Sequence, residues 1–266
     1  MESFFQVDAF ASKPFEGNTA GVIITGSEWT PDTMQKVATQ NNLPATAFMR
    51  IGNGGIKLRW FTARKELTLC GHATLASAHV LFSKGLVQAG NKVHFKATIA
   101  DLYAWFDNGW ITMDFPAYRC EPIELPRKLE PVFADKLHSV SYTQDKFLIE
   151  LENEKAVRHF VPDFSALTEH KCIITAAGDN DSPYDFVSRF FDVPDGIPED
   201  AVTGSSHCSL ATFWSAKLGK NKLNAFQASS RGGDLRLVLD HDRVLIAGQA
   251  QTIIEGSYLP FIQKAP

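Results

Sequence analysis

Two short blocks in this 266-residue chain hold residue types suited to proton chemistry at the start of a helix: Cys70-Gly71-His72, and Asp200 followed by Thr203-Gly204-Ser205. The first backbone N–H groups of a helix have no internal acceptor, and the helix dipole is positive there. Glycine, serine and threonine at such a start let an anion approach closely. Two such ends facing one ligand would clamp a carboxylate or a developing enolate through Gly71, Gly204 and Ser205. The imidazole of His72 has the ordinary pKa for proton transfer near neutrality, and an acid such as Asp200 can share or orient the proton. Cys70 is a further candidate, because a thiol at a helix N-terminus can be lowered in pKa and become nucleophilic. Each feature also has a plain structural reading: a well-capped helix, a capping histidine, a solvated first-turn acid, a buried small cysteine.

Other chemistries find less support. His72 and His79 lie about two turns apart without the HExxH pattern, so no metal site is expected. Gly52-Asn53-Gly54-Gly55 lacks the strand-to-helix context of a dinucleotide loop and reads as a hairpin turn. There is no Walker sequence and no GxSxG, so no organic cofactor is expected.

The elements that must position these residues can be read from pattern. Strands are expected near Phe5 and Val7 and over Ala20 to Ile24, with turn chemistry between them at Lys13 to Asn18. Thr30 and Pro31 open a helix as N-cap and first position, Met34, Val37 and Ala38 give its apolar face, and Asn41-Asn42 end it. Ala47 to Ile51 and Ile56 to Thr62 flank the hairpin turn, and strands follow at Lys92 to Ile99, Ala104 to Phe106 and Ile111 to Phe115. Beyond a linker-like stretch, Pro116 to Pro131, short strands are expected at 139–142, 147–151, 172–176 and 186–191, then one long helix, then strands at 235–239 and 243–250.

The second half echoes the first. Arg59-Trp60-Phe61 has a counterpart in Arg189-Phe190-Phe191, and Glu66 to Lys84 aligns with Glu199 to Lys217, with Glu66/Glu199, Gly71/Gly204, Ala78/Ala211 and Lys84/Lys217 identical. Each copy runs strand, acidic turn, glycine with small polar residues, apolar helix. This is the mark of a structural duplication, and a cleft between similar halves is a common ligand site. The division is expected at residues 1–116 and 117–266, with the last residues packing back on the first half.

Composition narrows the partners. The chain is 44% hydrophobic and 21% charged, which is globular composition, and its net charge of −4 comes without a dense Lys/Arg run. Neither nucleic acid nor a membrane surface is an expected partner; a small molecule is, with a homodimer also allowed. No apolar run has the length of a membrane span and the N-terminus has no leader pattern. Cys70, Cys120, Cys172 and Cys208 form no CxxC pair, which points to a reducing cytoplasm.

Val7 to Val22, Leu43 to Phe48, Leu58 to Thr62, Glu66 to Phe82, Ser188 to Leu210 and Gln227 to Gly233 together resemble the phenazine-biosynthesis PhzF-like family, with the Cys-Gly-His-Ala-Thr and Glu-Asp-x-x-Thr-Gly-Ser blocks in the family's order. The resemblance implies an α+β fold of the diaminopimelate-epimerase type: two pseudo-symmetric domains, each a curled sheet around a central helix, with the active site between them. It implies a cofactor-independent isomerase that moves a proton on a small carboxylated substrate. The family histidine falls on His72, its aspartate on Asp200, its helix-start anion contacts on Gly71, Gly204 and Ser205, and the asparagine of its GNP turn on Asn18, where Thr19 replaces the proline. Cys70 sits near one thiol position of diaminopimelate epimerase, but the second has no cysteine here, which disfavours a two-thiol racemase.

One departure stands out. The family's acid/base glutamate falls on Ala45, within Pro44-Ala45-Thr46-Ala47-Phe48. Alanine carries no proton, and general acid–base catalysis contributes about 10²- to 10⁴-fold. Either a glutamate has been substituted in this chain or the natural protein has lost its base; the intact remainder of the site leans towards the first. The leading expectation is an isomerase impaired at Ala45. The alternatives are a non-catalytic carboxylate-binding or regulatory protein on the same fold, and a thiol enzyme using Cys70.

Overall fold

The computed structural model describes residues 2–98, 101–133 and 136–258. In chain order the elements are β1 (Glu2–Ala9), β2 (Asn18–Ile24), α1 (Pro31–Asn41), β3 (Ala45–Gly52), β4 (Gly55–Phe61), β5 (Glu66–Leu67), α2 (Gly71–Ser83), β6 (Val93–Lys96), β7 (Asp101–Asp107) and β8 (Trp110–Pro116). There follow β9 (Glu121–Pro122), α3 (Glu130–Phe133), β10 (Leu137–Thr143), β11 (Lys146–Leu151), α4 (Glu154–Arg158), β12 (Lys171–Ala177), β13 (Phe186–Asp192) and β14 (Ile197–Asp200). The chain then forms α5 (Gly204–Leu218), β15 (Lys222–Gln227), β16 (Gly233–Asp240), β17 (Arg243–Gly248) and β18 (Ala250–Tyr258). It divides into two compact units. The first takes residues up to Phe15, Thr19–Met113 and those from Gln249 onward; the second takes Glu16–Asn18 and Asp114–Gly248.

In the first unit β2 pairs parallel with β3 through the α1 crossover, β3 antiparallel with β4, β4 parallel with β6, and β6 antiparallel with β7. The final strand β18 runs antiparallel to β1. The helix α1 starts where its signals lie: Thr30 Oγ1 accepts from the Thr33 N–H, and Asn42 closes the helix in the left-handed region at φ 49°. Asn53 and Gly54 turn the hairpin, with Gly52 opposite Gly55. The helix α2 lies against β1, β3, β7 and β18, and ten of its thirteen residues are buried. A helix that is apolar around its circumference is stable only inside a protein; here the sheet curls about it.

The second unit repeats this order. β11 pairs parallel with β12 through the α4 crossover, β12 antiparallel with β13, β13 parallel with β15, and β15 antiparallel with β16. The helix α5 packs on β15, β16 and β17. The correspondence β2/β11, α1/α4, β3/β12, β4/β13, β5/β14, α2/α5, β6/β15 and β7/β16 makes the duplication topological as well as sequential. The stretch 116–131 is more than a linker: Leu129 is fully buried with Phe133, Ile149 and Val157. The strand expected over 92–99 ends at Lys96, and Ile99 lies outside the described residues. The expected strand 243–250 is broken at Gln249, where β17 ends and β18 begins. Pattern reading also left out α4, β14 and β15, which are short or polar.

The repeated residues do repeated work. Arg59 forks onto Glu66 with both contacts at 2.7 Å, tying β4 to β5. Arg189 forks onto Glu199 at 2.7 and 2.9 Å, tying β13 to β14. The guanidinium of each also lies over the phenylalanine two residues on, Phe61 at 5.3 Å and Phe191 at 5.1 Å. The two braces differ in burial. Arg59 and Glu66 side chains are 30% and 34% exposed, whereas Arg189 is 10% exposed and donates to the Val157 and Phe160 carbonyls as well. Half-exposed pairs contribute about 0–1 kcal/mol, while removing one partner of a buried pair costs about 3–5 kcal/mol. Urea unfolding therefore should show a small loss for Arg59→Met and a loss of about 3 kcal/mol or more for Arg189→Met; equal losses would contradict the burial argument.

Candidate active site

His72 is the second residue of α2 and is buried. Burial lowers its imidazole to about 4, so it is neutral at pH 7. The Cys70 sulfur lies 3.6 Å from His72 Nδ1, and Cys70 itself is buried. His79, further along α2, meets the Thr252 hydroxyl at 3.0 Å. Ala45, the first residue of β3, is fully buried and stands opposite Ala20 in the parallel pairing with β2.

Asp200 ends β14, opposite Phe190 of β13. Its Oδ1 accepts from the Asn18 amide at 2.7 Å and its Oδ2 from the Thr203 hydroxyl at 2.5 Å. Gln227 grips the same turn: its Nε2 donates to the Asp200 carbonyl and its Oε1 accepts the Thr203 N–H, both at 2.8 Å. Burial pushes the Asp200 carboxyl up to about 6, against the Thr203 and Asn18 hydrogen bonds, which pull it down; nearby Asp192 adds to the rise. Desolvation thus leads for both His72 and Asp200, and it moves the acid up and the base down.

The two central helices share a feature that sets them apart from α1 and α4. Thr30 caps α1 and Asn153 caps α4 with side-chain hydrogen bonds. Neither Cys70 nor Thr203 caps the helix it precedes, and the Thr203 hydroxyl is turned to Asp200 instead. A capping side chain normally stabilises by about 1 kcal/mol. Both buried starts forgo that side-chain cap, which is compatible with an anion site around Gly71 and around Gly204-Ser205.

The expected residues thus fall in two groups. Cys70, Gly71 and His72 stand together in the first unit, where Ala45 also lies; Asn18, Asp200, Gly204 and Ser205 stand together in the second. Asn18 belongs with Asp200, since both its amide hydrogens are used there, on Asp200 and on the Val202 carbonyl at 2.9 Å. Thr203 and Gln227 complete the Asp200 environment, and sequence reading gave neither a role beyond its motif. Gly52 to Gly55 is a hairpin turn. Among the described residues no cluster of three metal-binding side chains occurs, and no helix is long and apolar enough to cross a membrane.

A family model described as phenazine biosynthesis-like protein matches residues 7–256. A protein of Pseudomonas aeruginosa named an isomerase is 41% identical over 256 residues, covering 95% of this chain and 97% of that one. Another named an isomerase, from Halalkalibacterium halodurans, is 38% identical over 265 residues, covering 96% and 97%. The crystal structure of a PhzF-family phenazine biosynthesis protein from Enterococcus faecalis superposes with a TM-score of 0.91 at 36% identity, over 97% of this chain and 99% of that one.

A second buried histidine makes the titration testable. His207, in the first turns of α5, donates from Nδ1 to the Thr203 carbonyl at 2.8 Å, and burial lowers it to about 4. As pH falls from 6.5 to 4, the unfolded chain takes up a proton at this residue that the folded chain refuses, so folding loses up to about 3 kcal/mol. Asp200 acts with the opposite sign between about 6 and 3.8, because there the folded state holds the extra proton. Denaturation of wild type and His207→Gln at pH 7 and pH 4.5 should show the difference between them moving in favour of the variant at the lower pH. A difference independent of pH would mean that His207 titrates normally.

Proposed function

This chain belongs to the phenazine biosynthesis-like family, and from that premise we propose that it is a cofactor-independent isomerase that moves a proton on a small carboxylated substrate. The observation that carries this reading is the pair of uncapped starts of buried helices, each with a proton-handling group whose pKa burial has moved. The helix-start N–H groups bind the carboxylate and stabilise negative charge that develops on the carbon skeleton once a proton leaves. Neutral His72 can accept a proton at pH 7, as a weak base, or donate a hydrogen bond from its ring N–H. Asp200, raised to about 6, sits close to the operating pH, where an acid/base exchanges most efficiently. This scheme asks no metal or organic cofactor to hold charge, since the helix starts supply it.

Ala45 limits the activity of this chain. The position is buried and lies at the beginning of β3, and alanine brings no ionisable group to it. The same observation favours one second reading, a protein that binds a carboxylate and performs no chemistry. One series separates the two. A ligand captured from a cell extract and identified by mass spectrometry is incubated in D₂O with wild type and with Ala45→Glu. The isomerase reading expects deuterium uptake to rise by about 10²-fold or more in Ala45→Glu; binding with no uptake by either form would establish the second reading.

In the Ala45→Glu background, His72→Ala and Asp200→Asn should each cut uptake by at least about 10²-fold. The double variant should lose far less than the product of the two, as residues acting as a unit do. Uptake that persists unchanged in either single variant would remove that residue from the proton path. EDTA should leave uptake intact, and loss restored by an added divalent metal would overturn the cofactor-independent reading.

A further inference from the structure

Within the second unit the three residues Glu16–Asn18 are far in sequence from everything they touch. Arg231 Nε donates to the Gly17 carbonyl at 2.7 Å and Arg231 Nη2 to the Glu16 carbonyl at 2.9 Å. The Gly17 N–H returns a bond to the Gly232 carbonyl at 2.7 Å. The guanidinium fork thus takes two consecutive carbonyls while the next residue of its own chain takes the amide between them. Both glycines at the junction are left-handed, at φ +67°, and a Cβ on Gly232 would stand 2.6 Å from the Phe226 ring. Asn18 comes next and sends its amide hydrogens to Asp200 Oδ1 and the Val202 carbonyl. Two acceptors on one side fix which end of the amide is nitrogen.

The residues on either side of the segment are fixed too. Asp8 accepts the Phe15 N–H at 2.9 Å on one oxygen and the Thr19 hydroxyl at 2.6 Å on the other. Phe15 is itself left-handed at φ 73°, a conformation costly for a bulky residue unless its surroundings impose it.

We propose that Arg231 is a positioning residue for Asp200: by clasping the carbonyls of Glu16 and Gly17 it aims the Asn18 amide at the Asp200 carboxyl. Arg231 makes both of these hydrogen bonds to the backbone of the segment. Its effect passes through the backbone of the segment, and a planar fork suits that task where a point charge would not. The proposal rests on the reading of Asp200 as the acid/base for its importance, but not for its test. A hydrogen bond to the ionised carboxylate lowers its pKa, so loosening Asn18 must raise it. The groups facing the Asp200 carboxyl are Asn18, Thr203, the Ala201 backbone N–H and, through space, Asp192; Arg231 variants leave all four in the chain.

The experiment is a ¹³C NMR titration of the Asp200 carboxyl in the full chain, assigned by its loss in Asp200→Asn. Asn18→Ala should raise the midpoint by about 1 pH unit, the size of one charge-assisted hydrogen bond. Arg231→Met should raise it by about half of that or more, and Arg231→Lys, which keeps the charge without the fork, should also raise it. Adding Arg231→Met to Asn18→Ala should change the midpoint no further. If Arg231→Met fails to fold, Arg231→Lys decides alone. A wild-type midpoint in the folded Arg231 variants, or effects of Arg231 and Asn18 that add, overturns the proposal. Failure of the isomerase reading would show instead as undiminished deuterium uptake in Asp200→Asn, whatever the midpoints.

Discussion

The structure depends on burying its two central helices, α2 through ten of its thirteen residues and α5 through nine of its fifteen. Such a helix cannot lie on a sheet with one face in water; the sheet has to curl around it, and the α2 contacts with β1, β3, β7 and β18 record that curl. Burying the helix also buries its N-terminus, where four N–H groups lack acceptors. Those groups are stable there only with a capping side chain or a polar ligand, and neither Cys70 nor Thr203 supplies the cap. Both buried starts thus lack a side-chain cap. The same burial lowers His72 to about 4 and raises Asp200 to about 6.

Duplication then divides the labour. The two units keep the same strand pairings and the same arginine–glutamate brace between β4 and β5 and between β13 and β14. At the far end of the central helices Lys84 meets Glu255 at 2.5 Å and Lys217 meets Glu150, placing a cation near each C-terminus as the dipole favours. What differs is the start of the helix. The first unit has a thiol and an imidazole there; the second has a carboxyl that accepts from Asn18 and Thr203.

The legibility of this arrangement followed sequence distance. The helix α1 was readable to the residue, because Thr30, Pro31 and Asn42 are local signals acting on adjacent backbone. The Asn53-Gly54 turn was equally local, and the repeat made α2 and α5 visible as a pair. By contrast, α4 has only five residues and no apolar period, and β15 alternates with lysine and asparagine on its outer face. The pairing of β18 with β1 joins the two ends of the chain, and nothing within Ala250–Tyr258 announces its partner. At the site, His72 and Asp200 stood out by residue type beside a glycine. Thr203 was read as part of a helix start and not for its bond to Asp200 three residues back, while Gln227 and Arg231 did not stand out, because their roles lie in bonds to residues that their own neighbourhoods do not contain; Arg231 reaches back 214 positions to Gly17.

The Asp200 environment also bears on the choice between the two readings proposed above. A carboxyl kept near a pKa of 6 is a standing cost to folding at neutral pH, because the folded state would rather hold its proton there than release it. Asn18, Thr203 and Gln227 are all committed to that one turn, and Gly17 and Gly232 adopt backbone conformations that few residues tolerate. A protein that only bound a carboxylate would gain affinity from the helix starts alone and nothing from a half-ionised acid beside them, whose negative form repels the ligand. Costly features of this kind decay first when chemistry no longer selects them, since most substitutions that relieve them raise stability. On the isomerase reading proposed above, the strained and heavily bonded turn around Asp200 has a use that carboxylate binding alone does not give it.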